Sequence, residues 1–207
     1  MIIRQLPTGP LAVNCFIIGD PETKEALVID PGGNVGDILS VLAQDELKCK
    51  TILNTHTHFD HIGGNADLKD AVGAELVTHP DEAPFLQQAD QAAQMFGLQT
   101  KRSPAADRTL VEGDTLSVGK YVGKLVEIPG HSPCGLALIF DGHAFVGDAL
   151  FAGGIGRTDF PGGSFDALAK AIREKLYTLP DETIVYPGHG PNTTVGNEKR
   201  YNPWVKA

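Results

Sequence analysis

Between Asn54 and Gly64 the chain reads NTHTHFDHIGG, and Thr55–His61 alone holds His56, His58, Asp60 and His61, which include three of the seven histidines in the protein. Imidazoles beside a carboxylate are donors for zinc, iron or manganese rather than for magnesium alone. Neither regular element gathers all four. On a helix His56 and Asp60 share a face and His58 points elsewhere. On a strand His56, His58 and Asp60 point one way and His61 the other. A loop leaving the end of a buried strand can turn these side chains towards two adjacent points. Gly63-Gly64 behind it lets the chain bend closely into the next helix.

Two adjacent subsites need further donors from elsewhere in the chain. His131 lies in EIPGHSPCG, Asp148 in AFVGDALF and His189 in VYPGHGPN. Each is a polar residue delivered where an apolar strand ends, which is how a rigid scaffold presents ligands at a sheet rim. His79, in VTHPDEA, reads as a lead-in to a helix, and His143, in DGHAF, as a turn residue. A structural zinc site favours four ligands rich in cysteine. Here the donors are nitrogen and oxygen, and there are more than four of them, so the pattern points to catalysis. Cys134 reads as a small buried side chain beside the site. Asp30, in VIDPGG, is expected to support a ligand or end a strand, and Asn54 and Thr55 to be structural.

The elements that must carry these residues follow from periodicity and punctuation. NCFIIG (14–19) and EALVIDPGG (25–33) read as strands, and 35–47 as an amphipathic helix. KTILNTH is a buried strand ending at the histidines, 64–72 a helix, AELVTH a strand and DEAPFLQQADQAAQMFG a helix or helix pair. Residues 97–110 read as a surface excursion. TLSVG, VGKLVEIPG, GLALIFD and HAFVGD return to strands, the last two joined by Asp141-Gly142, a dipeptide preferred by type I′ turns. SFDALAKAIREKLYTL is a helix capped by Ser164, and ETIVYPGHG a last strand. Two successions of strands and helices suit two sheets with helices outside, in a single domain of residues 1–207.

The bulk composition sets the chemistry in context. A formal net charge of -9 over 207 residues argues against nucleic acid and anionic membrane surfaces as partners. Three widely spaced cysteines make a disulfide framework improbable. With no long apolar run and no basic-then-apolar leader, the expected location is cytoplasmic.

The order and context of THTHFDH, PGHS, VGDALF and YPGHG resemble the metallo-β-lactamase superfamily. GDALFAGGIGRTDFPGGS and GPNTTVGNEKRYNPW resemble its glyoxalase-II-like hydrolases, relatives of hydroxyacylglutathione hydrolase, in their short bacterial form. The resemblance implies an α/β fold, an αββα sandwich of two mixed sheets flanked by helices. It implies two divalent metal ions, zinc first and iron or manganese as alternatives. His56, His58 and His131 would hold one ion, Asp60, His61 and His189 the other, and Asp148 would bridge them. A hydroxide shared by the ions would attack a small thioester or ester, with Asp60 also orienting the water. Arg157, in GIGRTDF, is the candidate for binding a substrate carboxylate; no organic cofactor is implied.

The chain departs from the full-length glyoxalase II pattern. It ends eighteen residues after His189, so the helical C-terminal domain that helps hold glutathione is not expected. Asp159 and Pro191 stand where two glutathione-contacting tyrosines are found. The same resemblance leaves open a persulfide dioxygenase working on one iron through His56, His131 and Asp148, and an inactive metal-binding module. A β-lactamase, which usually needs export, and a nuclease are disfavoured by the missing leader and the acidic charge.

Overall fold

The computed structural model describes residues 1–207. Two compact units emerge, one of residues 1–110 with 117–122, the other of residues 111–116 with 123–207.

The first unit is built on a six-stranded sheet of β1 (Ile2–Thr8), β2 (Val13–Gly19), β3 (Glu25–Ile29), β4 (Lys48–Leu53), β5 (Glu75–Thr78) and β6 (Arg108–Thr109), in that order. The first three strands are antiparallel, and β3 to β6 run parallel. Parallel neighbours need crossovers, and these are supplied by α1 (Val35–Gln44), by α2 (Phe59–Ile62) with α3 (Asn65–Val72), and by a 3₁₀ turn (Ala83–Gln88) with α4 (Ala89–Met95). Ile38 and Leu42 of α1 and Leu68 of α3 are buried in one cluster with Cys15, Ile17, Val28, Ile52 and Leu76 of the sheet. Phe16, Ile18, Leu27, Ile29, Leu53 and Val77, on the other face of these strands, are buried too. Strands buried on both faces read as continuous apolar runs rather than as alternation, which is why NCFIIG shows no period of two.

Most of the second unit is built on the sheet β14-β13-β10-β9-β8-β7, formed by β7 (Thr115–Val118), β8 (Tyr121–Ile128), β9 (Gly135–Phe140), β10 (His143–Gly147), β13 (Ile184–Pro187) and β14 (Thr193–Thr194), of which residues 117–122 group with the first unit. A small hairpin of β11 (Leu150–Phe151) and β12 (Gly154–Ile155) follows β10. Helix α5 (Phe165–Ala171) runs on into a π-helical turn, Ile172–Leu176, and α6 (Val195–Tyr201) closes the chain. Leu168, Ile172 and Leu176 pack with Ile128, Ala137, Ala144, Val146 and Val185. Ser164 caps α5 as expected, its Oγ accepting from Ala167 N at 3.3 Å.

Two sequence expectations are corrected. The β9–β10 hairpin is present, with Phe140 opposite His143, but only Gly142 has positive φ (73°), so the turn is not type I′. Glycine in the second central position already supplies the one left-handed residue needed. Residues 97–110 are not wholly a surface excursion, because Ser103 and Leu110 are buried and Arg108–Thr109 pairs with Val77–Thr78. Two residues joined to a sheet edge by backbone bonds carry no readable period. Strand β1, the β11–β12 hairpin, β14 and α6 were not anticipated by periodicity. No helix is long and apolar enough to cross a membrane.

Candidate metal centre

In the first unit Ile29 of β3 lies opposite Leu53 of β4, which lies opposite Val77 of β5. The parallel strands therefore end side by side, and Asp30, the Asn54–His58 segment and His79 all leave at one edge, the usual ligand edge of a parallel sheet. The four donors are not all on a loop. His56 and His58 are, but α2 starts at Phe59, so Asp60 and His61 stand on a helical turn with His58 as its N-cap. The change from extended to helical backbone at residue 58 lets one six-residue run address two directions.

The imidazole rings are fixed by their other nitrogens. Thr55 Oγ1 donates its only proton to Asp30 Oδ2 at 2.6 Å, while Thr55 N donates to Asp30 Oδ1 at 2.8 Å. His56 Nδ1, 3.1 Å from that hydroxyl, must then be the donor to it, which leaves the lone pair on Nε2. His61 Nδ1 lies 3.0 Å from Asp30 Oδ2, and a carboxylate there can only accept, so His61 also keeps its lone pair on Nε2. His56 Nε2 and His58 Nδ1 face each other at 3.1 Å, and the His56 and His61 ring centroids are 4.1 Å apart. Asp60 Oδ2 lies 3.7 Å from His61 Nε2. Outer partners of this kind set tautomer and orientation in metal-binding histidines.

Gly63 and Gly64 serve this turn differently from the expectation. Their φ values, -61° and -95°, are open to any residue, so backbone freedom is not what they provide. A Cβ on Gly63 would meet Gly32 O at 2.5 Å, and one on Gly64 would meet Pro31 O at 2.6 Å. Close approach of two backbones is the requirement.

In the second unit β8 and β10 each run antiparallel to β9, and β10 is parallel to β13. Strands β8, β10 and β13 therefore point the same way. His131 follows the end of β8, Asp148 that of β10 and His189 that of β13, so the sheet delivers all three to one edge. His131 Nε2 is 3.6 Å and His189 Nε2 3.7 Å from the same Asp148 Oδ2. Those distances are too long for hydrogen bonds. Each is a separation that two ligands sharing a metal ion would have, since metal–ligand bonds of 2.0–2.2 Å put ligand atoms about 3.4 Å apart. His131 Nδ1 donates to the carbonyl of Arg157 at 2.8 Å, which again leaves its Nε2 lone pair facing the carboxylate. The donor chemistry in each unit thus fits a metal ion.

The structure separates the other candidates. His79 is buried, and its Nδ1 accepts from Asp81 N at 3.1 Å, the opposite polarity to His56, His61 and His131. His143 Nδ1 pairs with the Tyr186 hydroxyl at 3.0 Å. Cys15 and Cys49 sit in the first unit's core, and burial pushes both thiols up, Cys49 to about 12. Neither supplies the thiolate a ligand or nucleophile needs. Cys134 is buried, as expected. Arg157 touches His131 through its backbone. Its guanidinium is taken up by Asp159, with Nε–Oδ1 and Nη2–Oδ2 distances of 2.8 Å, and lies 3.7 Å from the centroid of Phe160. The hydrogen bonds it donates to Asp159, then the charge of that carboxylate, hold the guanidinium above its ordinary pKa. A substrate carboxylate at Arg157 would have to displace Asp159. Sequence reasoning missed Glu82, a buried carboxylate bonded to Thr57. A signal was present in T-H-T-H, whose alternation places two threonines opposite two histidines.

Comparison with known proteins identifies this architecture. A model described as the metallo-β-lactamase superfamily matches residues 8–189. The chain is 38% identical over 211 residues to hydroxyacylglutathione hydrolase GloC of Haemophilus influenzae, covering 100% of this chain and 99% of that one. The crystal structure of BLEG-1, a B3 metallo-β-lactamase, superposes with a TM-score of 0.92 at 33% identity over 100% of both chains. TTHA1623 in a di-iron-bound form superposes with a TM-score of 0.89 at 36% identity, covering 98% of this chain and 100% of that one. Mixed sheets flanked by helices, histidine and aspartate donors at the strand ends, and these whole-chain matches agree: the chain belongs to the metallo-β-lactamase superfamily, whose fold binds metal ions.

Proposed function

We propose that the protein is a dinuclear metal-dependent hydrolase of small thioesters or esters, of the hydroxyacylglutathione hydrolase type. The observation that carries this reading is Asp148, whose single oxygen Oδ2 faces the Nε2 atoms of both His131 and His189. A carboxylate that faces donors of two subsites suits a shared ligand. In this reading His56, His58 and His131 would hold one ion, Asp60, His61 and His189 the other, and Asp148 would serve both. Zinc is the first choice by donor type, with iron or manganese as alternatives. Bound there, the ions supply Lewis acidity, which lowers the pKa of a water and polarises a carbonyl.

The chain's own residues do the rest. Asp30 holds His61 and, through Thr55, His56 in the tautomers that present Nε2. Asp60 orients the attacking water. Arg157 meets an anionic thiol carrier by exchanging Asp159 for it. The substrate is a small cytoplasmic thioester. The GloC relative supports the thioester reading, and the TTHA1623 structure supports a two-metal centre.

The test is hydrolysis of S-D-lactoylglutathione and a panel of other thioesters by purified protein of measured metal content. Two metals per chain and turnover are expected, with Asp148→Ala lowering metal content and cutting kcat/KM by about 10³-fold. Asp148→Ala with wild-type metal and turnover would overturn the site. A β-lactam arm is warranted by the likeness to BLEG-1. Oxygen uptake on glutathione persulfide with one iron per chain would replace the hydrolase by the dioxygenase.

A further inference from the structure

We infer that Glu82 is a positioning residue for the metal ligands His56 and His58, acting through Thr57. The inference rests on the metal-centre reading above, not on the identity of the substrate.

Thr57 is the residue between the two histidines. Its backbone N–H donates to Glu82 Oε2 at 3.0 Å and its hydroxyl to the same oxygen at 2.7 Å. Glu82 is 1% exposed. Its own turn is held to the end of β5, since Glu82 N and Ala83 N both donate to His79 O at 3.0 Å. The arrangement repeats that of Asp30 one step along the chain. Thr55 gives its N–H and hydroxyl to the buried Asp30, and Thr57 gives its N–H and hydroxyl to the buried Glu82. His56 is thus flanked by two threonines, each pinned by both donors to a buried carboxylate.

Two consequences follow from burying a carboxylate at this place. Charge-assisted bonds to the backbone on either side of His56 are about twice as strong as neutral ones, so they fix the segment that sets the His56–His58 spacing. A negative charge beneath a cation site also favours the cation, and burial weakens screening of that charge. A neutral side chain of the same shape would keep part of the first effect and lose the second. Removal of such outer partners typically costs about 10 to 100-fold in metal affinity.

The experiment compares wild-type protein, Glu82→Gln, Thr57→Val and Thr57→Ser. Zn²⁺ affinity is read by chelator competition, ligand geometry by the visible spectrum of the Co²⁺-loaded protein, and stability by melting with and without metal. Glu82→Gln is expected to weaken Zn²⁺ binding by about 10 to 100-fold and to change the Co²⁺ spectrum. Thr57→Val is expected to do so more weakly, and Thr57→Ser to restore wild-type behaviour. If Glu82→Gln lowers the melting temperature equally in metal-free and metal-loaded forms, with Zn²⁺ affinity and the Co²⁺ spectrum unchanged, Glu82 is only a structural clamp and the inference fails. Wild-type protein that binds no Zn²⁺ or Co²⁺ overturns the metal-centre reading itself. Metal binding without thioester turnover overturns the proposed substrate class and leaves the role of Glu82 standing.

Discussion

The segment His56–His61 and the trio His131, Asp148 and His189 present similar donors by different means. The first crowds four donors into six residues on one strand end, where β-sheet register fixes only the starting point. Its geometry is completed by side chains from other strand ends, with Asp30 and Glu82 holding Thr55 and Thr57. The second takes one donor from each of three strands that share a direction, so the sheet itself sets their spacing. A backbone carbonyl, that of Arg157, is then enough to orient His131. A carboxylate brings charge as well as geometry, whereas a carbonyl brings a dipole at a place fixed by the chain. The first group should therefore answer to changes of charge, and the second to changes of backbone shape.

The largest effect is expected from backbone shape in the second unit. A Cβ on Gly156 would come within 1.9 Å of Asp148 O and 2.7 Å of His131 Nδ1. Neither partner is the free end of a flexible chain, so Gly156→Ala must move the Arg157 carbonyl, His131 or Asp148. Activity is expected to fall by about 10² to 10³-fold and metal affinity with it. Gly36→Ala is the control, since nothing lies within 4 Å of its Cβ and the position is inside α1. It is expected to raise stability by about 0.5–1 kcal/mol. Wild-type metal affinity in Gly156→Ala would remove the contrast between the units.

A charge change in the first unit is expected to cost less. Asp30 has φ 50°, a left-handed conformation that asparagine also accepts, so Asp30→Asn leaves the backbone unstrained. Three donors converge on the carboxylate, from Thr55 N, Thr55 Oγ1 and His61 Nδ1. Asparagine offers one acceptor oxygen and turns an NH₂ group towards the rest. Zn²⁺ affinity is expected to fall by about 10 to 100-fold, measured by chelator competition. An unchanged affinity would show that the tautomers of His56 and His61 do not depend on Asp30.

Much of this was legible before folding, and the exceptions have a common cause. His56, His58, Asp60 and His61 stand out because they are close in sequence. His131, Asp148 and His189 stand out because each follows an apolar run with Gly or Pro beside it. Helix α1 and the Ser164 cap follow from periodicity and residue type. Glu82 did not stand out: it lies 25 residues from Thr57, in a stretch that reads as a helix lead-in, and its role arises only when β4 and β5 pair. Gly63-Gly64 was read for flexibility although its neighbours 31–32 demand closeness, a property of the partner backbone and not of the local sequence. The pairing of the Arg157 guanidinium with Asp159 was not legible either, because nothing in GRTDF says that the carboxylate folds back onto it.

The smallest effect on the metals, and a separate one on stability, is expected from Glu198 of α6. This buried carboxylate accepts from Gly153 N, Thr193 Oγ1, Asn197 Nδ2 and Asn202 Nδ2 at 2.7–2.9 Å. Burial alone would raise its pKa, but the hydrogen bonds, that of Thr193 foremost, outweigh it and hold the carboxyl below its ordinary value. A group lowered on folding adds stability above its unfolded pKa and loses it as pH falls through the folded one. Glu198→Gln keeps the shape, loses the charge and sets an NH₂ group against two of the four donors, so a loss of about 1–3 kcal/mol at neutral pH is expected. The gap to wild type should narrow in acid as the wild-type carboxyl takes up its proton. Because Glu198 holds the β11–β12 hairpin through Gly153 and bonds to none of the proposed metal donors, metal affinity should stay within about threefold of wild type, well below the loss expected for Asp30→Asn. A larger loss of metal would mean that this hairpin, and not strand register alone, places the second unit's donors.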